Sequence, residues 1–135
     1  MLSNIVVKNY LLMAITRFEE ILSWKKAREL TVIIYELTKK EKFSKDYGLK
    51  DQIQRASVSI MSNIAEGFDR QTKKEFIQFL YISLGSNSEL RTQLYIAIDL
   101  KYITEEDFNK SYSLSIEIAK LIFKFIKHLK EQSKP

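Results

Sequence analysis

Three glycines and one proline punctuate 135 residues, and that proline is the terminal Pro135. Strands need frequent turns, and turns draw heavily on glycine and proline. A chain so poor in both is expected to form a few long helices joined by short connections. Its length suits one domain that buries roughly two-thirds of its unfolded surface.

Four amphipathic segments carry the matching periodicity. Ile21, Trp24, Ala27, Leu30, Ile34 and Leu37 recur every three or four residues, which predicts a first helix from about Phe18 to Lys40. The polar connector KEKFSKDYG follows, then a second helix from about Leu49 to Glu66. Gly67 is a natural stop there because glycine tolerates positive φ. In TKKE, Thr72 and Glu75 have capping-box spacing and open a third helix to about Asp99. Thr104 and Asp107 of TEED repeat the device before a fourth helix to about Glu131. Short links make successive long helices antiparallel, so the expected fold is all-α, an up-down-up-down four-helix bundle. The bundle should occupy residues 18–132, between an N-terminal extension at 1–17 and a tail at 133–135.

The extension begins MLSNIVVKNYLLM, with its apolar run broken by Lys8 and no basic start or small-residue cleavage site, so it makes a poor signal peptide. Met13 is an alternative start, and an ordered or frayed arm is the competing reading. No run approaches the length of a membrane span. The absence of cysteine removes disulfides, thiolate nucleophiles and Cys-ligated metal sites, and fits a cytoplasmic setting. A formal charge of +5 favours phosphate-bearing or acidic partners, although a plainly solvated basic surface has the same composition.

Polar residues concentrate in RASVSIMSNIAEGFDR, residues 55–70. On a helical wheel Leu49, Ile53, Val58, Ile60, Met61, Ile64, Ala65 and Phe68 take one half. Arg55, Ser59, Ser62, Asn63, Glu66 and Arg70 take the other. Small hydroxyls beside one Arg and one Glu suit close helix contact better than a freely solvated face. In the third helix Glu89 interrupts the apolar line of Ile82 and Ile96, flanked by Ser86 and Gln93. A carboxylate there needs a compensating cation, and Arg55, whose planar fork can hold it bidentately, is the expected partner. Stranding Arg55 by removing Glu89 would then cost roughly 3–5 kcal/mol.

Enzymatic readings find little support. Glu66 and Glu89 might suggest a carboxylate pair, but bundle di-iron sites also need Glu-x-x-His, and the one histidine is His128 in the Lys-rich end of the last helix. LGSNSE lacks nucleophile-elbow spacing, and no Gly-rich phosphate loop occurs. No catalytic residue, cofactor or metal is expected. Two basic clusters remain as nucleic-acid candidates: Arg70, Lys73 and Lys74 around the start of the third helix, and Lys120, Lys124 and Lys127 along the fourth, with Lys134 beyond. Cations near a helix C-terminus are also favoured by its dipole. KLIFKFIKHLK has the look of a membrane-surface helix, but the bundle needs its apolar residues for a fourth wall, so no membrane partner is expected.

ILSWKKARELTVIIYELT, YGLKDQIQRASVSIMSNIAEGFDR and FIQFLYISLGSNSELRTQL together resemble a bacterial four-helix-bundle family. That family is named for proteins encoded in intervening sequences of 23S ribosomal RNA genes, and older descriptions call it ribosomal. The likeness covers about Phe18 to Ile126. Arg55, Ala56, Ser59, Ile60, Asn63, Ile64, Ala65, Glu66, Gly67 and Arg70 carry its central motif. Ser86, Glu89, Leu90 and Thr92 carry the second. Ser44 and Asp46 replace the usual Pro and Glu of the connector. Ser83 and Asn87 replace commoner apolar or small residues, a change expected to alter an interface locally. The resemblance implies a ring-like homopentamer without catalytic activity. It also implies kinship with the accessory variability protein of diversity-generating retroelements, which binds nucleic acid and a reverse transcriptase. Two readings follow: an RNA- or DNA-binding accessory protein, or a scaffold for a reverse transcriptase or ribosomal component.

Overall fold

The computed structural model describes residues 15–132. A 3₁₀ turn at Phe18–Glu20 leads into α1 (Leu22–Leu37). A short α2 (Glu41–Lys45) sits in the connector, followed by α3 (Tyr47–Phe68), α4 (Lys73–Asp99) and α5 (Glu105–Gln132). α1 packs on α3 and α5, and α4 packs on the same two helices, closing the expected antiparallel four-helix bundle. The alternative starts Met1 and Met13, the tail at 133–135 and Lys134 lie outside the described residues. At the described edge of the extension, Ile15 packs against the core. Thr16 donates its amide and its hydroxyl to the Glu20 carboxylate, each at 3.1 Å.

The first helix is shorter than its periodicity predicts. Ile21 has extended backbone, with φ −74° and ψ 123°, between the 3₁₀ turn and α1. It remains buried, so apolar spacing survives a break that ends the helix itself. The connector holds an unpredicted helix, α2, anchored by buried Phe43. Asp46 then caps α3 by accepting from the Leu49 amide at 3.1 Å, while its other oxygen accepts from the Tyr102 hydroxyl at 3.0 Å. That hydrogen bond, with desolvation and the neighbouring carboxylate charge, raises the Tyr102 pKa.

Both predicted capping signals operate. Thr72 accepts from the Glu75 amide at 3.1 Å. At α5 the box is reciprocal: Asp107 N–H donates to Thr104 Oγ1 at 3.0 Å, and Thr104 N–H donates to Asp107 Oδ2 at 3.1 Å. Lys40 also donates to Asp107, tying the end of α1 to the start of α5. Desolvation alone would raise the Asp107 carboxyl, but the Lys40 bond and the Thr104 bonds outweigh it and hold its pKa below the ordinary value.

Gly67 does not stop α3 through positive φ; no described glycine has one. It lies buried inside the last turn, with Asp69 as the C-cap. A Cβ there would fall 2.7 Å from Phe79 Cβ and 2.9 Å from Phe76 Cδ1. The glycine is needed because α4 begins against it. Val58 also departs from the expected apolar half and is exposed.

Ser83 and Asn87 do not modify an outer surface; both are fully buried. Ser83 donates to the Ile60 carbonyl at 2.7 Å, joining α4 to α3. Asn87 Nδ2 donates to the Ser115 carbonyl at 3.1 Å, and its Oδ1 accepts from the Ser115 hydroxyl and from Arg91. This network joins α4 to α5 with each strongly polar group supplied, as burial demands.

Candidate functional site

The polar residues of α3 and α4 divide into a seam and an outer face. Ser59 and Ser86 meet at 2.7 Å between their hydroxyl oxygens. Asn63 Nδ2 donates to the Ser59 carbonyl at 2.8 Å and to its hydroxyl at 2.9 Å. These three fill the α3–α4 seam as the helical wheel suggests. Arg55, Glu66, Glu89 and Thr92 are instead exposed or point to solvent. Thr92 donates to the Ser88 carbonyl of its own helix, and Glu89 accepts from Gln93 at 3.2 Å.

The expected Arg55–Glu89 pair does not form within one chain. Neither residue joins the ion pairs found among the described residues. The small serines bring α3 and α4 together along the seam, and that approach turns Arg55 and Glu89 outward, where both keep their hydration. The stranding penalty expected for Glu89 removal therefore has no basis inside a protomer. Glu66 pairs with Arg70 at 2.7 Å, and the Arg70 guanidinium lies 4.7 Å from the Phe79 ring centroid. Arg70 is thus exposed to solvent and at the same time engaged by Glu66 and the Phe79 ring.

Two isoleucines are exposed on the outer side of α4, one on each side of Glu89 along the helix. Ile82 and Ile96 are 52% and 42% exposed. Gly85 stands between them on an open surface, with nothing within 4 Å of where its Cβ would be. A glycine at an exposed helix interior costs about 1 kcal/mol relative to alanine and returns nothing within the protomer.

The basic residues form a second surface. Lys73 and Lys74 are exposed at the start of α4, and Lys120, Lys124 and Lys127 are exposed along α5. Because α4 and α5 run antiparallel, the start of one lies beside the end of the other. Phe76 and Phe125 mark this junction with ring centroids 5.2 Å apart, and Lys130 crosses it to donate to the Tyr81 hydroxyl at 2.9 Å. The start of α4, with Lys73 and Lys74, therefore lies beside the last turns of α5, with Lys124 and Lys127, while Lys120 lies nearer mid-helix. Glu117 tempers the far side and pairs with Lys26 at 3.8 Å.

Tyr81, Phe123 and Lys130 were not singled out by the sequence pattern, although the wheel places Phe123 among Lys120, Lys124 and Lys127. Of KLIFKFIKHLK, Ile122, Ile126 and Leu129 do build the fourth wall, whereas Phe123 is 57% exposed. His128 is half-buried on α5. Among the described residues no group of three or more His, Cys, Asp or Glu side chains is placed to hold a metal. No described helix is long and apolar enough to cross a membrane.

The family model described as 23S rRNA-intervening sequence protein matches residues 19–124. Among solved structures, a protein of unknown function from the S23 ribosomal protein family of Bacteroides thetaiotaomicron is 32% identical, with a TM-score of 0.73. The match covers 78% of this chain and 99% of that one. No curated protein matches.

Proposed function

Because this chain belongs to the 23S rRNA-intervening sequence protein family, we propose that it is a non-enzymatic, cytoplasmic, homo-oligomeric accessory protein that binds nucleic acid through its basic end. The observation that carries this reading is the Phe76–Phe125 contact, which sets the start of α4, with exposed Lys73 and Lys74, against the stretch of α5 that carries exposed Lys124 and Lys127. Lysine ammonium groups act as mobile point charges, suited to phosphate and indifferent to base identity. Each phosphate they neutralise releases condensed counterions, so binding should weaken steeply with salt.

Assembly rests on the outer α3–α4 face. Ile82 and Ile96 are exposed along one line of α4, with bare backbone at Gly85 near one end, and Glu89 between them and Arg55 on α3 are available to a neighbouring copy. The family resemblance supplies the number five. A ring of five would repeat the basic end and multiply the +5 charge of one chain fivefold. A polypeptide scaffold role draws support from α1, where Leu22, Val32 and Tyr35 are exposed. A pull-down that survives nuclease and high salt would favour that second reading.

Titration of labelled RNA and DNA against the intact oligomer over a series of salt concentrations tests the first. A steep fall of affinity with salt is expected, with a shallower slope after charge reversal at Lys73, Lys124 and Lys127. An oligomer that binds neither polymer at low salt overturns the proposal.

A further inference from the structure

We infer that Phe123 and Tyr81 form a base-stacking subsite for single-stranded nucleic acid, with Lys127 and Lys130 holding the backbone beside them. The inference rests on the nucleic-acid reading above and specifies its ligand. Phe123 projects from α5 while its neighbours Ile122 and Ile126 are buried, so its ring contributes little to the core. Tyr81, 45% exposed, stands across the α4–α5 groove. Both rings line one shallow depression with Ile126, Lys127, Lys130 and Glu131. Lys130 fixes the far ring: its ammonium lies 5.3 Å from the Tyr81 centroid while bonding the hydroxyl.

Exposed aromatic faces among cations are what an unpaired base requires, since each base offers a π-face and its backbone a charge. In a duplex those faces are already stacked on one another, so the rings have no comparable partner there. Lysines on the walls favour an anionic occupant over a neutral peptide. Glu131 repels phosphate from its part of the lining, which leaves the backbone to Lys127 and Lys130. Tyr81 lies one helical turn from Gly85 on α4, so the subsite borders the proposed assembly strip.

Fluorescence anisotropy with a labelled twelve-nucleotide single strand and the matching duplex tests the assignment on the full chain. Wild type should prefer the single strand. Phe123→Leu, which keeps apolar volume but loses the π-face, should weaken single-strand binding by about 5- to 150-fold, the range of one lost stack, and leave duplex binding unchanged. Phe123→Trp should restore affinity and show indole quenching on titration with the strand, against the Trp24 emission of wild type. Equal affinity of wild type and Phe123→Leu for the strand overturns the stacking subsite while leaving phosphate binding intact. Absence of binding to either polymer overturns both readings. Binding of anionic phosphatidylserine vesicles that Phe123→Leu weakens, with strand binding unchanged, overturns the subsite in favour of a lipid surface.

Discussion

Replacing Gly67 with alanine tests how closely α3 must approach α4. The added Cβ would lie 2.7 Å from Phe79 Cβ, 2.9 Å from Phe76 Cδ1 and 3.3 Å from the Phe76 carbonyl oxygen. Phe79 Cβ is fixed to the backbone, so no change of rotamer removes that contact. The Phe76 ring is held edge-on between Phe68 and Phe125, with centroids at 6.0 and 5.2 Å. Relief must therefore come from the helices moving apart. Overpacking of this kind costs roughly 1–3 kcal/mol, and the better helix propensity of alanine offsets at most about 1 kcal/mol of it. A net loss of about 1–2 kcal/mol is expected, read as a lower urea midpoint with an unchanged m-value and a thermal midpoint several degrees lower. Gly85→Ala is the internal control, because open space surrounds that position. It should gain up to about 1 kcal/mol in an unassembled protomer, from propensity alone. If Gly67→Ala is as stable as wild type, the close-approach reasoning is wrong.

Arg55→Glu should weaken assembly through repulsion from Glu89 of the adjacent copy, and adding Glu89→Arg should restore it; size-exclusion elution that ignores both changes would contradict the pairing. Asn87→Ala should cost about 1–3 kcal/mol, since it leaves the buried Ser115 groups and Arg91 without their amide partner, and chemical denaturation measures the loss. The depressed Asp107 pKa means its contribution is present above the unfolded carboxylate range and is lost as pH falls through the lower folded value. The difference in Tm between wild type and Asp107→Asn should therefore shrink between pH 7 and pH 3, and a constant difference would count against the Lys40–Asp107 link.

The long helices were legible because apolar spacing and the Thr72 and Thr104 caps are local properties of the chain. The break at Ile21 was not, since a buried isoleucine keeps its place in the periodicity whether or not its backbone is helical. α2 is too short to display a period. Gly67 reads alike as a stop or as a contact, and the approach of Phe76 and Phe79 from another helix separates the two. The same holds for the polar stripe. A wheel separates its residues from the core but cannot say that Ser59 and Asn63 meet Ser86 while Arg55 and Glu89 turn away. Phe123 was hidden for the opposite reason. Its neighbours are genuine core residues, and an aromatic among them suggests packing until the fold shows which side it takes. Asp46 was the readable signal left unused, an acidic cap three residues before Leu49.

Sedimentation equilibrium on the full chain across a range of concentrations tests the assembly claim most directly. A species five times the 15.9 kDa chain mass is expected, falling towards a single chain when Ile82→Asp places a charge in the assembly strip. A wild-type protein that stays at 15.9 kDa throughout would contradict it.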